Sequence, residues 1–237
     1  MSEIPATIRP FNVIYHIAAM NDWRRVVSEQ ISVLLRNRNI ASLQLTIGAD
    51  LTSEWSAAVQ HVTDTVRETG KAIPTQARLC HLDQFEHPAM ILIDDVARGS
   101  DLPVLYFHTK GVSRNPPELL YENWRHYLNE FVGEADKWAD FLWNSDYDAC
   151  GRFQTFDKSH GYTYFAGNFW MARSAYLRSL PPYLDFLQPP KAPDFRGFDR
   201  HRAEVAVNRT RRMKPYATDG MVLTPMEVIC FLQGIPG

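Results

Sequence analysis

An apolar run at residues 102–107 ends abruptly in the polar sequence His108-Thr109-Lys110-Gly111, and it constrains the fold more than any other feature. A run this short, with β-branched and aromatic residues, predicts a strand buried on both faces of a parallel sheet. Ligands of open α/β sheets bind at the carboxyl ends of the strands. We therefore expect His108, Thr109 and Lys110 to meet a substrate, and Gly111 to let the backbone approach it closely. A solvated loop is the alternative.

Strand and helix patterns alternate along the chain around this run. Strands are predicted at the segments 13–19, 43–47, 78–82, 147–153 and 162–171. Helical periodicity separates most of them, with caps expected at Asn21 or Asp22 and at Thr52 or Ser53. The alternation predicts the α/β class, with a mainly parallel central sheet and helices on both faces.

Two glycines interrupt the predicted elements. Gly133 divides a helical pattern that follows the polar loop and carries tryptophans as core residues. Gly167, followed by Asn168, lies in the middle of the last predicted strand and implies a bulge or a close backbone approach.

The composition is that of an ordinary globular domain, and it excludes several classes of function. The chain has 237 residues, 45% hydrophobic and 22% charged, which suits one α/β domain with a substantial core. A formal net charge of -2 gives no general attraction for nucleic acid. Three scattered cysteines argue against a disulfide framework or a zinc site. Because no signal peptide or apolar stretch of about 18 residues is recognisable, we expect a cytoplasmic protein.

Five short motifs occur in a fixed order. They are His108-Thr109-Lys110, Trp124-Arg125, Tyr147-Asp148-x-x-Gly151, the Phe-x-Gly-Asn-Phe-Trp sequence at 165–170 with Ala172-Arg173, and Arg200-x-x-Ala203-Glu204. In this order they resemble bacterial polysaccharide-synthesis glycosyltransferases related to the rhamnan-synthesis group, which have a nucleotide-binding α/β fold of the GT-A type. No single motif is specific for that family, so the shared order carries the resemblance.

The resemblance implies a fold and an activity. The fold is expected to be one GT-A-like domain over residues 1–237, with a nucleotide-binding half at about 12–111 and an acceptor-side half at about 112–237. The activity is expected to be transfer of a hexosyl or deoxyhexosyl unit from a nucleotide-diphosphate sugar to a glycan or lipid-linked acceptor. Glu204 takes the place of the family's base, and inversion is expected only through it. A surface ion pair with Arg200 or Arg202 is the alternative for Glu204.

The chain departs from many GT-A enzymes at the end of the central strand. Where those enzymes carry a D-x-D motif that holds a divalent metal, this chain has His108-Thr109-Lys110. A lysine supplies positive charge to the departing diphosphate without a metal. We therefore take Lys110 and His108 as catalytic candidates, expect no cofactor, and expect weak or absent dependence on Mn²⁺ or Mg²⁺. The rival pairs, Asp94-Asp95 and the Asp-Tyr-Asp sequence at 146–148, are expected to be caps or surface residues.

Three residues of the fourth motif fit a sugar site. Gly167 lets a pyranose approach the backbone, the amide of Asn168 offers a donor and an acceptor, and the indole of Trp170 stacks on sugars. Core packing is the alternative for Trp170, because neighbouring strand residues face opposite sides of a sheet.

Four more substrate-binding candidates depend on their position in the chain. Trp124 and Arg125 lie on a helix turn that is expected near the Lys110 loop. Asp22 and Asp50 follow the first and second strands, where the resemblance implies the nucleotide base or ribose. A helix cap explains Asp22 equally well.

Three other functions are compatible with the sequence. A non-catalytic nucleotide-sugar- or glycan-binding module explains the missing D-x-D motif. A phosphoesterase using His108 and Lys110 lacks the clustered carboxylates or nucleophile elbow usual for that chemistry. Nucleic-acid binding through the basic residues at 209–214 predicts a steep salt dependence. The donor, the acceptor and any peripheral contact with a membrane stay open.

Overall fold

The computed structural model describes residues 9–114, 118–157 and 162–187. Eight strands lie in these ranges: β1 (Phe11–Ala18), β2 (Ile40–Gly48), β3 (Thr75–Cys80), β4 (Val104–His108), β5 (Ala149–Gly151), β6 (Gln154–Asp157), β7 (Tyr162–Phe165) and β8 (Trp170–Ala172). Seven α-helices accompany them there: α1 (Trp23–Leu34), α2 (Thr52–Glu68), α3 (His87–Gly99), α4 (Leu119–Gly133), α5 (Ala135–Asn144), α6 (Ser174–Ser179) and α7 (Tyr183–Leu187). A 3₁₀ turn, Leu82–Gln84, links β3 to α3.

Six strands form one central sheet in the order β3-β2-β1-β4-β8-β5. β1 pairs in parallel with β2 and β4, and β2 pairs in parallel with β3, as crossovers through α1, α2 and α3 require. β8 runs antiparallel to both β4 and β5. The predicted α/β class with a mainly parallel sheet and surrounding helices is therefore confirmed, with one antiparallel strand inside the sheet.

Both faces of the central sheet are buried, and β4 shows why its sequence is apolar throughout. Leu105 and Phe107 pack into a core on the side of α1, α2, α4 and α5. Val104 and Tyr106 pack into a second core on the side of α3, α6 and α7. Each such side chain contributes about 1.5–3 kcal/mol by leaving water, so the run cannot slip by one residue without a large loss.

The segment 162–171 forms two strands and not the single strand that its pattern predicts. β7 pairs with β6 in a separate two-stranded sheet, whereas β8 joins the central sheet. Gly167 and Asn168 have φ values of 90° and 57° and lie in the turn between them. The glycine thus marks a change of sheet, because a continuous strand needs extended backbone at every residue.

Asp94 and Asp95 act as a cap and a surface residue, as expected, and Asp148 lies away from the expected crevice. Asp94 accepts a hydrogen bond of 2.6 Å from the backbone N–H of Tyr183, the first residue of α7. Asp95 forms an ion pair of 3.2 Å with Arg78. Asp148 directly precedes β5, which starts level with the first residue of β4, so it lies at the end of the sheet away from His108.

The helical pattern after the polar loop divides at Gly133, as predicted, where α4 ends and α5 begins after one residue. The motif that contains Glu204, the helix start at 115–117 and the basic residues at 209–214 lie outside the described residues. The division of the chain into two functional halves stays a prediction. Within the described ranges, no helix combines the length and apolar character needed to span a membrane.

Candidate functional site

A cavity of about 580 Å³ opens at the carboxyl ends of β1, β2 and β4. From β1 the chain moves outwards through β2 to β3, and it then returns to place β4 on the other side of β1. Open α/β sheets bind ligands at the point where the strand order reverses in this way. Five predicted site residues line the cavity: Asp50, His108, Thr109, Lys110 and Gly111. Six others do not line it: Asp22, Trp124, Arg125, Gly167, Asn168 and Trp170.

Thr109 ties the end of β4 to the end of β1. Its Oγ1 accepts a hydrogen bond of 2.9 Å from the backbone N–H of Ala18. Its own N–H donates to the carbonyl of His16 at 3.0 Å. Since the side chain is buried and already bonded, Thr109 fixes the loop and leaves the following residue to face the cavity.

Gly111 allows the turn that follows Lys110. Its φ is 85°, and a Cβ at this position would lie 3.2 Å from the Cβ of Tyr121 and 3.5 Å from Nη1 of Arg125. A side chain would thus meet both backbone strain and crowding. Only glycine fits without adjustment.

Arg125 holds the same loop through a hydrogen bond to its backbone. Arg125 is 3% exposed, and its Nη1 donates to the carbonyl of Lys110 at 3.2 Å. Glu29 lies 3.4 Å from Nε and accepts a hydrogen bond of 2.6 Å from Asn129. The predicted proximity to the Lys110 loop is correct, but direct contact with a substrate does not fit this buried position.

A buried glutamine holds the other end of the loop. Gln30 donates from Nε2 to the carbonyl of His108 at 3.0 Å and to Asn129 at 3.1 Å. Its Oε1 accepts from the hydroxyl of Tyr15 at 2.8 Å. Because the polar groups of this network bond to one another, they lie in the core at little cost.

Glu86 is the residue that the sequence did not reveal. It lines the cavity, its side chain is 21% exposed, and its Oε2 accepts hydrogen bonds of 2.7 Å from the Tyr106 hydroxyl and of 2.7 Å from Asn168 Nδ2. The same oxygen lies 2.8 Å from Nδ1 of His108, without the alignment of a hydrogen bond. Burial raises the pKa of Glu86, but its interactions with His108 and the hydrogen bond from Tyr106 lower that pKa more. The pKa therefore lies well below its usual range, and the carboxylate stays ionised.

Two histidines stand side by side at the bottom of the cavity. His16 of β1 and His108 of β4 are register partners, and both are almost fully buried. Nδ1 of His16 lies 2.9 Å from Oγ1 of Thr46. Burial lowers the pKa of His16 to about 4, so this imidazole is neutral at pH 7.

The ammonium group of Lys110 lies 4.2 Å from the ring centre of Trp124. A Cβ on Gly167 would lie 2.7 Å from Leu128 Cδ1 and 3.1 Å from Trp124 Nε1, so the turn after β7 packs directly on α4. Trp124 thus connects the cationic loop to that turn. Its ring contacts the ammonium group of Lys110, but Trp124 does not line the cavity.

Asn168 and Trp170 belong to the layer behind the cavity. Asn168 is buried, donates to Glu86, and accepts a hydrogen bond of 2.9 Å from Nε1 of Trp170. Trp170 is 1% exposed, and stacking of its indole on a sugar does not fit that position. Phe169 is equally buried in the opposite core, because the sheet is covered on both faces.

The two predicted aspartates have different positions. Asp50 lines the cavity beside His81, whose Nδ1 lies 3.8 Å away, and Asp83 lies 2.7 Å from the same nitrogen. Asp22 lies outside the cavity at the start of α1, where it bonds to Arg25 at 2.5 Å. In the described ranges no group of three or more His, Cys, Asp or Glu side chains is arranged to hold a metal ion.

Comparisons with known proteins identify no family for this chain. No protein-family model matches the sequence. No curated protein matches it either. The resemblance to the rhamnan-synthesis-related group therefore stays a prediction.

Some solved structures follow a similar course of the chain. One is 4-diphosphocytidyl-2C-methyl-D-erythritol synthase from Anaerococcus prevotii DSM 20548, 12% identical, TM-score 0.43, with 95% of this chain and 95% of that chain covered. Another is the galactosyltransferase LgtC in complex with donor and acceptor sugar analogs, 9% identical, TM-score 0.42, with 84% and 70% covered. A third is the glycosyltransferase GlyE of Streptococcus pneumoniae TIGR4, 12% identical, TM-score 0.41, with 89% and 45% covered. At this level of likeness no function passes from these proteins to this chain.

Proposed function

We propose that this protein is a cytoplasmic glycosyltransferase of polysaccharide synthesis that moves a hexosyl or deoxyhexosyl unit from a nucleotide-diphosphate sugar to a glycan or lipid-linked acceptor. One observation carries the proposal: the loop that presents Lys110 lines a cavity at the carboxyl ends of the parallel strands. The ordered motifs that begin with this loop support the same activity.

The charges around the cavity match the parts of a nucleotide sugar. Lys110 and Arg114 come from the wall that follows β4, and they suit the two negative charges of a diphosphate. Asp50 and Asp83 come from the connections after β2 and β3, and carboxylates there suit the hydroxyl groups of a ribose. The diphosphate would therefore lie along the Lys110 wall, with the nucleoside towards the acidic side.

Lys110 acts on the leaving group in this proposal. As the bond between the anomeric carbon and the diphosphate oxygen breaks, negative charge grows on that oxygen, and a fixed ammonium group stabilises it. Thr109, Gly111 and Arg125 hold the loop in place and need no contact with the substrate. Lys110 supplies the positive charge that a metal supplies in D-x-D enzymes.

The base remains Glu204 in this proposal, carried by the resemblance alone. It would take the proton of the acceptor hydroxyl while that oxygen attacks the anomeric carbon, which inverts the configuration. Glu86 is a poor alternative because its lowered pKa makes it a weak base. Glu86 instead accepts hydrogen bonds at the cavity wall.

A panel of nucleotide sugars tests the proposal. The full chain is heated with UDP-, dTDP-, GDP- and CDP-sugars, with Mn²⁺ or with EDTA, and a bound donor raises the melting temperature by mass action. Release of nucleoside diphosphate is then followed for each donor that binds. We expect one base to stabilise the protein equally with Mn²⁺ and with EDTA, and slow turnover by water or added glycan.

Lys110→Met and Lys137→Met form a matched pair for this assay. Both lysines lie over a tryptophan ring, at 4.2 Å and 5.0 Å, but Lys137 is an exposed residue of α5 that does not line the cavity. We expect Lys110→Met to weaken donor binding and turnover by about 10- to 100-fold, as the loss of a charged contact implies. Lys137→Met should behave as the wild type. Binding without any turnover would favour the non-catalytic module, and equal effects of the two variants would refute the role of Lys110.

A further inference from the structure

Phe85 has a backbone conformation that amino acids other than glycine rarely adopt. Its φ is 48° and its ψ is −135°, outside the helical and extended regions. Such residues cost free energy and persist only where the surrounding structure fixes them. They are concentrated at functional sites.

Fixed elements on both sides impose this conformation. Before Phe85, the 3₁₀ turn is closed by a hydrogen bond of 2.8 Å from the His81 N–H to the Gln84 side chain and by one of 3.0 Å from the Gln84 N–H to the His81 carbonyl. After it, Glu86 is held by Tyr106 and Asn168. The single residue between them has to make the change of direction.

The side chain of Phe85 lies outside the packed interior. It is 42% exposed and lines the cavity. Within the described residues its ring contacts no other aromatic ring and belongs to neither hydrophobic core. A glycine would relieve the backbone strain here, so core packing does not explain the phenylalanine.

The surroundings of Phe85 indicate which part of a nucleotide it meets. Asp83, two residues before it, and Glu86, directly after it, line the same cavity, as does Asp50 after β2. Three carboxylates repel a diphosphate and accept hydrogen bonds from hydroxyl groups. An uncharged, flat ring is the group that fits against an exposed phenyl face on this side.

We propose that Phe85 is the stacking platform for the base of the nucleotide. This inference rests on the proposed function, because it assumes a nucleotide in the cavity. The phenyl ring covers one face of the base, and the ribose then reaches Asp50 and Asp83 while the diphosphate extends towards Lys110. The strain at Phe85 keeps the ring turned into the cavity instead of into the core.

Two variants of the full chain test the inference. Phe85→Gly removes the ring and the strain, whereas Phe85→Leu keeps an apolar side chain without the flat ring. The nucleoside diphosphate among UDP, dTDP, GDP, CDP and ADP that most stabilises the wild type is titrated calorimetrically into each protein, with inorganic pyrophosphate as the probe without a base. Base stacking on an aromatic side chain predicts affinity losses of about 5- to 150-fold.

The expected result has two parts. Phe85→Gly melts about 2–5 °C above the wild type without ligand, because strain is relieved. It binds the nucleoside diphosphate at least about 5-fold more weakly and pyrophosphate unchanged, and Phe85→Leu shows the same selective loss.

Three results would overturn the inference, and one separate result would overturn only its premise. If both variants bind the nucleoside diphosphate as tightly as the wild type does, Phe85 is not a stacking platform. If the variants lose as much affinity for pyrophosphate as for the nucleoside diphosphate, the substitutions disturb the cavity in general. A loss seen only when the matching nucleotide sugar is titrated in place of the nucleoside diphosphate assigns Phe85 to the sugar. If the wild type binds none of the five nucleotides, the proposed function fails, whatever the variants do.

Discussion

Replacement of Glu86 by Gln is the perturbation whose effect follows most directly from the structure. One carboxylate oxygen receives hydrogen bonds of 2.7 Å and 2.7 Å and lies 2.8 Å from a histidine nitrogen. Hydrogen bonds to a charged group are worth about 1.5–3 kcal/mol each, against about 1 kcal/mol for neutral ones. With the lost histidine interaction, Glu86→Gln should destabilise the protein by about 2–4 kcal/mol at pH 7.

The pH dependence of this difference identifies its origin. The pKa of Glu86 is depressed in the folded protein, so its stabilising effect is complete above the unfolded value of 4.5. It is lost as the pH falls from 4.5 towards the folded pKa, by about 1.4 kcal/mol per pH unit. The stability difference between the wild type and Glu86→Gln should therefore shrink by about 2 kcal/mol between pH 4.5 and about pH 3.

Urea unfolding at a series of pH values measures the effect. For a chain of this size, about 2–4 kcal/mol corresponds to roughly 4–15 °C in Tm, well within reach of a thermal assay as a check. Glu68→Gln, which neutralises an exposed carboxylate at the end of α2, is the matched control and should change little. A Glu86→Gln protein as stable as the wild type at pH 7, or a deficit that does not shrink in acid, would refute the reasoning.

Three further predictions concern a histidine, a glycine and the candidate base. Burial lowers the pKa of His16 from 6.5 to about 4. The stability of the wild type should therefore fall by up to about 3 kcal/mol as the pH drops from 6.5 to 4. The variant His16→Asn should not show this pH dependence in urea titrations. Gly111→Ala should cost about 1–3 kcal/mol in unfolding experiments because its φ is 85°, whereas Gly99→Ala, which meets no atom within 4 Å, should cost little. Glu204→Gln should abolish transfer but keep donor affinity in calorimetry, and retained turnover would exclude Glu204 as the base.

The order of strands and helices was accessible from the sequence because each signal is local. Buried parallel strands are apolar throughout, so residues 102–107 and 13–19 predicted β4 and β1 with ends displaced by only a few residues. The direction of the strand alone then predicted that the polar residues at the end of β4 lie at the ligand-binding edge of the sheet. The same logic placed Trp124-Arg125 near the loop, and the structure puts both in contact with Lys110.

The rest of the cavity depends on contacts between residues far apart in the chain. Glu86 meets Tyr106 and Asn168, 20 and 82 residues away. No local pattern distinguishes it from any acid at a helix start; its position directly before the helix of Pro88 was the only signal. No sequence pattern marks Phe85 either, because its unusual φ value is imposed by the elements on both sides of it.

Trp170 shows the opposite failure. Strand alternation correctly indicated that one of two neighbouring aromatic residues lies in a core, and the sugar role needed the other to be open. In the structure, both faces of the sheet are covered, so both rings are buried in separate cores. Alternation tells which face a residue occupies, but it does not tell whether that face meets water.

A crystal structure of the full chain with its stabilising nucleoside diphosphate bound is the most direct measurement. We expect the diphosphate oxygens within about 3 Å of the ammonium group of Lys110, as for a charge-assisted hydrogen bond, inside the cavity at the ends of β1 and β4. A nucleotide bound elsewhere on the molecule, or a diphosphate turned away from Lys110, would contradict the proposed function.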